Sequence, residues 1–414
     1  MHTTRSQTDG SGAEANDATA LGAEPEKPMQ RHPIVNDPTP SASAIRVLMI
    51  TSQWPPPGQP HTAHFIKRQA EFLRAAGVDV DVFHFKGEGN PRNYWKAWVE
   101  VHRRLRHNSY DLVHAQWGHT GLVALPTRLP LVVTLRGTDI AGVLGRNLRL
   151  TPGGRVLRLI SQGVSRAADA VIVVSEHMKA FLHPTVRPYV IPTGLDFSVF
   201  RPLPRDAARQ RLGMTLDKRL VLFIGRPEIP LKRFSLASQA VEILNRRLAA
   251  ELVVAWGVPY AEMPFYLNAC DALVFTSVQE GSPNAVKEAL ACNLPVVSVP
   301  VGDVAARLDG VMGCELCPDD RPETIAAALE RVLRQGGRSA GRKAVRSLDE
   351  RLTTRQVLAV YRSVLKRRPD RSERTAGLPF PPPSRREDRP AAVPGGPDRR
   401  PVEPARGSAS RHLN

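Results

Sequence analysis

Glu280 and Glu288 are separated by seven residues within the stretch DALVFTSVQEGSPNAVKEALACNLPVVSVPVGD, from Asp271 to Asp303. Gly281, Ser282, Pro283 and Asn284 between them have turn composition, and Pro283 suits the first turn of a helix. The backbone N–H groups of such a first turn, around Ser282 to Ala285, find no carbonyl partner within the helix. They form an anion site suited to a diphosphate. Glu288 then lies a little over one turn in, on the side of the loop. Ionised carboxylates only accept hydrogen bonds, which suits them to the hydroxyls of a sugar or ribose beside that site. Either glutamate alone would fit the solvated face of a helix; the pattern as a whole points to a ligand.

Holding this loop takes a strand on each side. Ala272 to Phe275 is a short apolar run that reads as a buried strand, and Val296 to Val299 is another. Between them Ala285, Val286, Ala289, Leu290 and Cys292 recur with helical period until Pro295 stops the helix. The result is a strand–loop–helix–strand unit of a parallel sheet with covering helices. The same grammar runs through the rest of the chain. Strands are expected at Ile45 to Thr51, Val78 to Val82, Asp111 to Gln116, Leu131 to Leu135 and Ala170 to Val174, with a helix from His64 to Ala76. A second set begins at Leu220 to Gly225, with helices at Ser235 to Arg246 and Pro322 to Leu333 and a final helix near Thr353 to Leu365. No G-x-G-x-x-G follows the first strand and no Walker loop occurs, which counts against dinucleotide or ATP binding. Asp79 and Asp81 form a D-x-D, but both fall on the polar face of an alternating strand and read as surface.

The segment EGSPNAVKEALACNLPVV closely resembles the signature of retaining glycosyltransferases of family 4. The resemblance extends over about residues 45 to 366 through DLVHAQWGHTG (111–121), TLRGTD (134–139), ADAVIVVSEHMKAFL (168–182) and VIPTGLDFSVFRP (190–202). It implies an α/β GT-B fold, two Rossmann-like domains with parallel sheets facing across a cleft. The implied divisions are an acceptor domain at 44–200, a linker at 201–218, a donor-binding domain at 219–350 and a C-terminal helix at 351–367. The resemblance further implies that Glu288 holds the donor's ribose, Glu280 the donor sugar, and Arg226 with Lys232 the diphosphate. Gly281, Ser282, Pro283 and Asn284 would line the same donor site, with His119 and Asp139 on the acceptor side. Many members carry His-Gly where this chain has Arg136-Gly137. Arginine is no base at neutral pH, but it can hold an anion or a sugar hydroxyl. Arg-Gly-x-Asp also occurs in bacterial cell-surface polysaccharide transferases of the teichuronic-acid type, which this chain resembles most. The expected donor is a nucleotide-diphosphate sugar, the acceptor a glycan or lipid-linked glycan, and no metal or other cofactor is expected. A binding-only relative without turnover and a GT-B-like sugar-nucleotide epimerase remain alternatives.

The 414 residues suffice for two ordinary domains. Four cysteines suit a reducing compartment; Cys314-x-x-Cys317 lacks the further ligands a metal site needs. Residues 1–43 and 368–414 lack periodicity and read as disordered. The formal charge is +17. The head has three basic and six acidic residues, and the tail from Arg367 eleven and six, so the excess belongs to the folded part. Nucleic acid, anionic membrane and anionic substrate could each explain that excess; with the family resemblance, nucleic acid is not expected. No apolar run approaches the length of a spanning helix and no secretory signal is visible, so the expected location is cytoplasmic, with peripheral attachment to the inner membrane face. One stretch suits an anionic membrane surface. NYWKAWVEVHRRLRH, residues 93–107, places Trp95, Trp98 and Val99 on one stripe flanked by Lys96, Arg103, Arg104 and Arg106. An ordinary covering helix would show the same stripe.

Overall fold

The computed structural model describes residues 44–55, 64–87 and 89–367. The expected disordered head and tail, and the middle of the loop after the first strand, lie outside them. Runs such as LVHAQ and LVVTL are buried at every position, as strands covered on both faces must be. They assemble into two sheets, parallel throughout. The first contains β1 (Arg46–Thr51), β2 (Asp79–His84), β3 (Leu112–Gln116), β4 (Leu131–Leu135), β5 (Ala170–Val173) and β6 (Tyr189–Val190), in the order β2-β1-β3-β4-β5-β6. The second contains β7 (Arg219–Ile224), β8 (Ala250–Ala255), β9 (Ala272–Phe275), β10 (Val296–Ser298) and β11 (Glu315–Leu316), in the order β11-β10-β9-β7-β8.

Each order reverses beside its first strand. The connections leave on opposite faces there, which opens a crevice at the carboxyl ends, the usual ligand position in such sheets. In the first sheet the reversal lies between β1 and β3, in the second between β7 and β9.

Helices cover both faces of the first sheet. The Pro91–His107 helix packs Ala97 and Val101 on one face, and the His64–Ala75 helix packs Ile66, Ala70 and Leu73 on the other. The last helix, Glu350–Lys366, starts against the second half, where Glu350 N–H donates to Leu195 O at 2.9 Å. It then returns to the first sheet and buries Val357, Leu358, Val360, Tyr361 and Val364 beside Val47, Met49 and Ile66. At about 1.5–3 kcal/mol per fully buried apolar side chain, detaching it is costly.

One stretch differs from its sequence reading. Within 201–218, expected as a linker, the Arg205–Arg211 helix is packed into the second half. Its Arg209 is fully buried because the guanidinium satisfies Ala269 O at 2.8 Å, Lys218 O at 2.9 Å and Asp271 Oδ2 at 2.9 Å. The Asp79/Asp81 pair is occupied by ion pairs, with Arg46 at 2.9 Å and Arg104 at 3.0 Å.

Candidate active site

At the second sheet's reversal the loops after β7 and β9 meet. Lys232 ends a short 3-10 turn, and its Nζ lies 2.6 Å from Glu280 Oε1, so an ion pair bridges the crevice. Thr276 Oγ1 donates to Lys232 O at 2.8 Å, and Arg233 donates to Thr276 O at 2.6 Å and pairs with Asp320. These contacts fix the lysine loop to the end of β9. Arg226 stands apart: its exposed side chain pairs with Glu228 at 3.2 Å and lies over Trp256 at 5.6 Å. The structure thus joins Lys232 with Glu280 and leaves Arg226 at the rim.

The Asn284–Ala291 helix follows, with Pro283 as its cap and first-turn amides that the helix cannot pair. Ser282 Oγ donates to Asp303 Oδ2 at 2.9 Å, tying the loop to the one after β10. Glu288 is half-buried, and among the described residues no hydrogen bond reaches its carboxylate. Burial pushes its pKa up, against the pull of Arg68 and Lys287. Lys287 beside it is fully buried, with Nζ donating to Thr193 O at 3.1 Å, and burial pulls it down to about 7.

At the first sheet's reversal, His119 Nε2 meets Ser52 Oγ at 3.1 Å while its Nδ1 is buried without a partner. Burial lowers the His119 pKa and the nearby Asp139 opposes that. Asp139, expected on the acceptor side, has another task. Its two oxygens accept the amides of Gly118 at 3.0 Å, Arg136 at 3.1 Å and Gly137 at 2.9 Å. A carboxylate that already accepts three backbone N–H groups has little left for a substrate; it holds the loops after β3 and β4 in register.

Arg136 extends over the rings of Phe65, at 4.9 Å, and Trp117, at 5.8 Å. It donates to Thr193 Oγ1 and Gln69 Oε1, both at 3.0 Å, and to Gln116 Oε1. Its Nε is buried without a partner, and burial draws the guanidinium down to about 10, so it stays charged at neutral pH.

The two reversals face each other. Gly137, at φ +145°, packs against Gly281: a Cβ there would sit 3.1 Å from Gly281 N, and a Cβ on Gly281 would collide with the Arg136 carbonyl. Ser175 Oγ donates to Gly281 O at 2.7 Å and Gln279 Nε2 to Gly142 O at 2.8 Å. Behind them Arg68 pairs with Glu350 at 2.8 Å, donates to Gly194 O at 2.6 Å and bonds Tyr260. Around this junction His119 Nδ1, Arg136 Nε, Gln279 Oε1, Asn284 Oδ1 and Asp303 Oδ1 are all buried and unpartnered. Such groups are costly unless something completes them, and they come from loops after β3, β4, β9 and β10.

Gln69, Gln116, Ser175, Thr193, Gln279 and Lys287 were not singled out from the sequence. Only Lys287 carried a signal, as a charge between buried Val286 and Ala289. Among the described residues no group of three or more His, Cys, Asp or Glu is placed to hold a metal.

Paired parallel sheets whose reversal points face across a cleft define the GT-B architecture, and comparison with known proteins agrees. Residues 42–199 match the model for Glycosyltransferase Family 4, and residues 246–335 that for Glycosyl transferases group 1. TuaC of Bacillus subtilis, named for teichuronic acid biosynthesis, is 26% identical over 329 residues, covering 63% of this chain and 82% of that protein. A D-inositol 3-phosphate glycosyltransferase of Kineococcus radiotolerans is 28% identical over 330 residues, covering 65% and 75%. Among solved structures, sucrose-phosphate synthase from Thermosynechococcus elongatus superposes with a TM-score of 0.66 at 18% identity, over 78% of this chain and 100% of that one. Anabaena HepE, in complex with UDP and glucose, gives 0.51 at 16% identity, over 81% and 100%. The protein is a glycosyltransferase of GT-B fold. It belongs to glycosyltransferase family 4.

Proposed function

We propose that the enzyme moves a glycosyl unit, with retention of configuration, from a nucleoside diphosphate sugar to a glycan or lipid-linked acceptor in cell-envelope polysaccharide synthesis. The observation that carries this is the Lys232–Glu280 pair across the crevice, with Glu288, whose carboxylate has no hydrogen bond among the described residues, in the helix that follows. In this reading Glu288 accepts from the ribose hydroxyls and Glu280 from the donor sugar. Lys232, Arg226 and the amides of Gly281 to Asn284 hold the diphosphate. As the bond from the sugar's anomeric carbon to the diphosphate oxygen breaks, negative charge grows on the departing phosphate. Two cations and a helix N-terminus stabilise it without a metal. Arg136 and His119 line the sugar side, and Asp139 keeps their loops in place. HepE binding UDP and glucose, and the TuaC and inositol 3-phosphate relatives, support a nucleotide donor and a sugar-like acceptor.

An anionic membrane surface belongs to the proposal as a partner, supported by one layer of the first half. On the Pro91–His107 helix, Trp98 is half-buried and donates to Leu125 O at 2.9 Å, whereas Trp95, stacked on it at 5.2 Å, is 64% exposed. Arg103 and Arg104 are occupied by Glu100. The neighbouring segment 140–168 contains five arginines and no carboxylate, and exposes Val143, Leu148, Val156 and Leu159. Apolar side chains among unopposed cations suit an anionic headgroup layer. No helix among the described residues is long and apolar enough to cross a membrane.

Incubation with UDP-, GDP- and ADP-sugars, followed by nucleoside diphosphate release and the anomeric configuration of the product, tests the reaction. Inverted product would overturn retention, and no release with any donor would overturn the donor class.

A further inference from the structure

The arginines whose guanidinium groups are tied into the protein divide into two kinds. Arg68 pairs with Glu350 and Arg209 with Asp271, while Arg338 and Arg342 are stapled to carbonyls, such as Cys270 O at 3.0 Å and Ala291 O at 2.8 Å. These four hold structure together. Arg136 differs from them all. Its acceptors are a hydroxyl and two amide oxygens, all neutral side chains, and among the described residues no carboxylate is hydrogen-bonded to the guanidinium. The nearest acids are spent elsewhere: Asp139 on three backbone amides and Glu350 on Arg68. Of five guanidinium N–H groups, three are used, and the Nε–H is buried and unpartnered. Phe65 and Trp117, which meet edge to face, both lie beside the group, so it cannot swing out to water without losing both ring contacts. Its own backbone abuts the Glu280–Gly281 loop, which places it where the two halves meet.

A preorganised cation without a counter-ion, with an N–H left over, is built to receive an oxyanion. We propose that Arg136 is a specificity subsite for an anionic substituent, a carboxylate or phosphate, on one of the two sugar units, and that the enzyme selects substrates carrying it. The inference rests on the proposed sugar transfer and adds the charge class of the substrate. Gln69, Gln116 and Thr193 are positioning residues, fixing the guanidinium plane from the first helix, the end of β3 and the segment after β6.

Two substrate sources share this chemistry, and two arms separate them. In the donor arm, calorimetry compares UDP-glucuronate with UDP-glucose and GDP-mannuronate with GDP-mannose. In the acceptor arm, release of nucleoside diphosphate from a neutral donor is followed with methyl glucuronide or glucose 1-phosphate against methyl glucoside. We expect the charged compound to be favoured by about tenfold or more in one arm. Arg136→Gln should bring that ratio close to one, and Arg136→Lys should keep part of it. Because the ratio is read within each variant, general loss of activity cancels. Equal use of charged and neutral compounds by the wild-type enzyme in both arms overturns the proposal even if Arg136→Gln fails to fold. So does a preference that survives in Arg136→Gln. Binding of UDP or GDP without discrimination sinks this inference alone, whereas failure of every nucleoside diphosphate to bind sinks the sugar-transfer reading beneath it.

Discussion

The two halves of the junction treat charge in opposite ways. In the second half the mobile charges are matched: Lys232 to Glu280, Arg226 to Glu228, Arg307 to Asp303. A diphosphate entering there would exchange one partner for another, and the cations' attraction is redirected rather than created. In the first half Arg136 has only neutral acceptors, and burial lowers the pKa values of His114 and His119. His114, enclosed by Tyr361 OH at 2.6 Å and Thr134 Oγ1 at 2.8 Å, is driven down to about 3. The contrast teaches that a leaving group whose charge grows during reaction suits a poised, exchangeable ion pair, while a fixed feature of a substrate suits a rigid, unneutralised group.

Lys287 is the exception in the second half, a fully buried amine with a single carbonyl partner, and it tests the contrast most severely. Its pKa falls from 10.5 to about 7 on folding. Between those values the unfolded chain binds more protons than the native one, so stability rises with pH across that window and the full cost is present below pH 7. Lys287→Met should therefore be more stable than wild type by a few kcal/mol, on the order of the shift, at pH 6, with the gap closing towards pH 10. Chemical denaturation across pH measures it; a gap independent of pH would mean that Lys287 is charged and compensated.

Lys232→Ala breaks the exchangeable pair and should cost about 3 kcal/mol in the transition state, seen mainly in turnover. Arg226→Ala, on the rim, should lower turnover less. If the two kinetic losses are equal, the ion pair across the crevice has no special place. Gly281→Ala probes the contact between the halves. Its Cβ would meet the Arg136 carbonyl, so activity should fall about 100-fold with thermal stability little changed. Wild-type rates would show that the halves react at a wider separation.

Glu288→Gln should weaken nucleoside diphosphate binding about tenfold, because a charged acceptor at a ribose diol becomes a neutral amide. Unchanged affinity in a folded variant would remove Glu288 from the site. The smallest effect concerns the outer layer. Trp95→Ala should reduce flotation with anionic vesicles severalfold at low salt, and Trp98→Ala should act more through stability, since only Trp95 is exposed. Binding indifferent to Trp95 and abolished by salt would transfer the contact to the arginines of 140–168.

Much of the second half could be read from the chain because its chemistry is local. Glu280, the turn and Glu288 lie on one strand–loop–helix unit, so spacing alone fixes their separation and the free amides between them. Alternating and continuous apolar runs likewise fixed where strands and helices fall, since burial on one or two faces leaves a period in the sequence. The first half kept its site hidden. Arg136 is completed by Gln69, Gln116 and Thr193, 67, 20 and 57 residues away, and a glutamine that aims its oxygen at a guanidinium looks like any other. Sequence resemblance placed Asp139 beside the substrate, and only the folded loops revealed three amides closing around it. The helical packing of 205–211 was equally invisible, because an arginine reads as surface until its carbonyl partners are known. Periodicity and spacing are properties of neighbours along the chain and were decided by sequence. Which charges find partners is decided by approach in space, and that belonged to the tertiary structure.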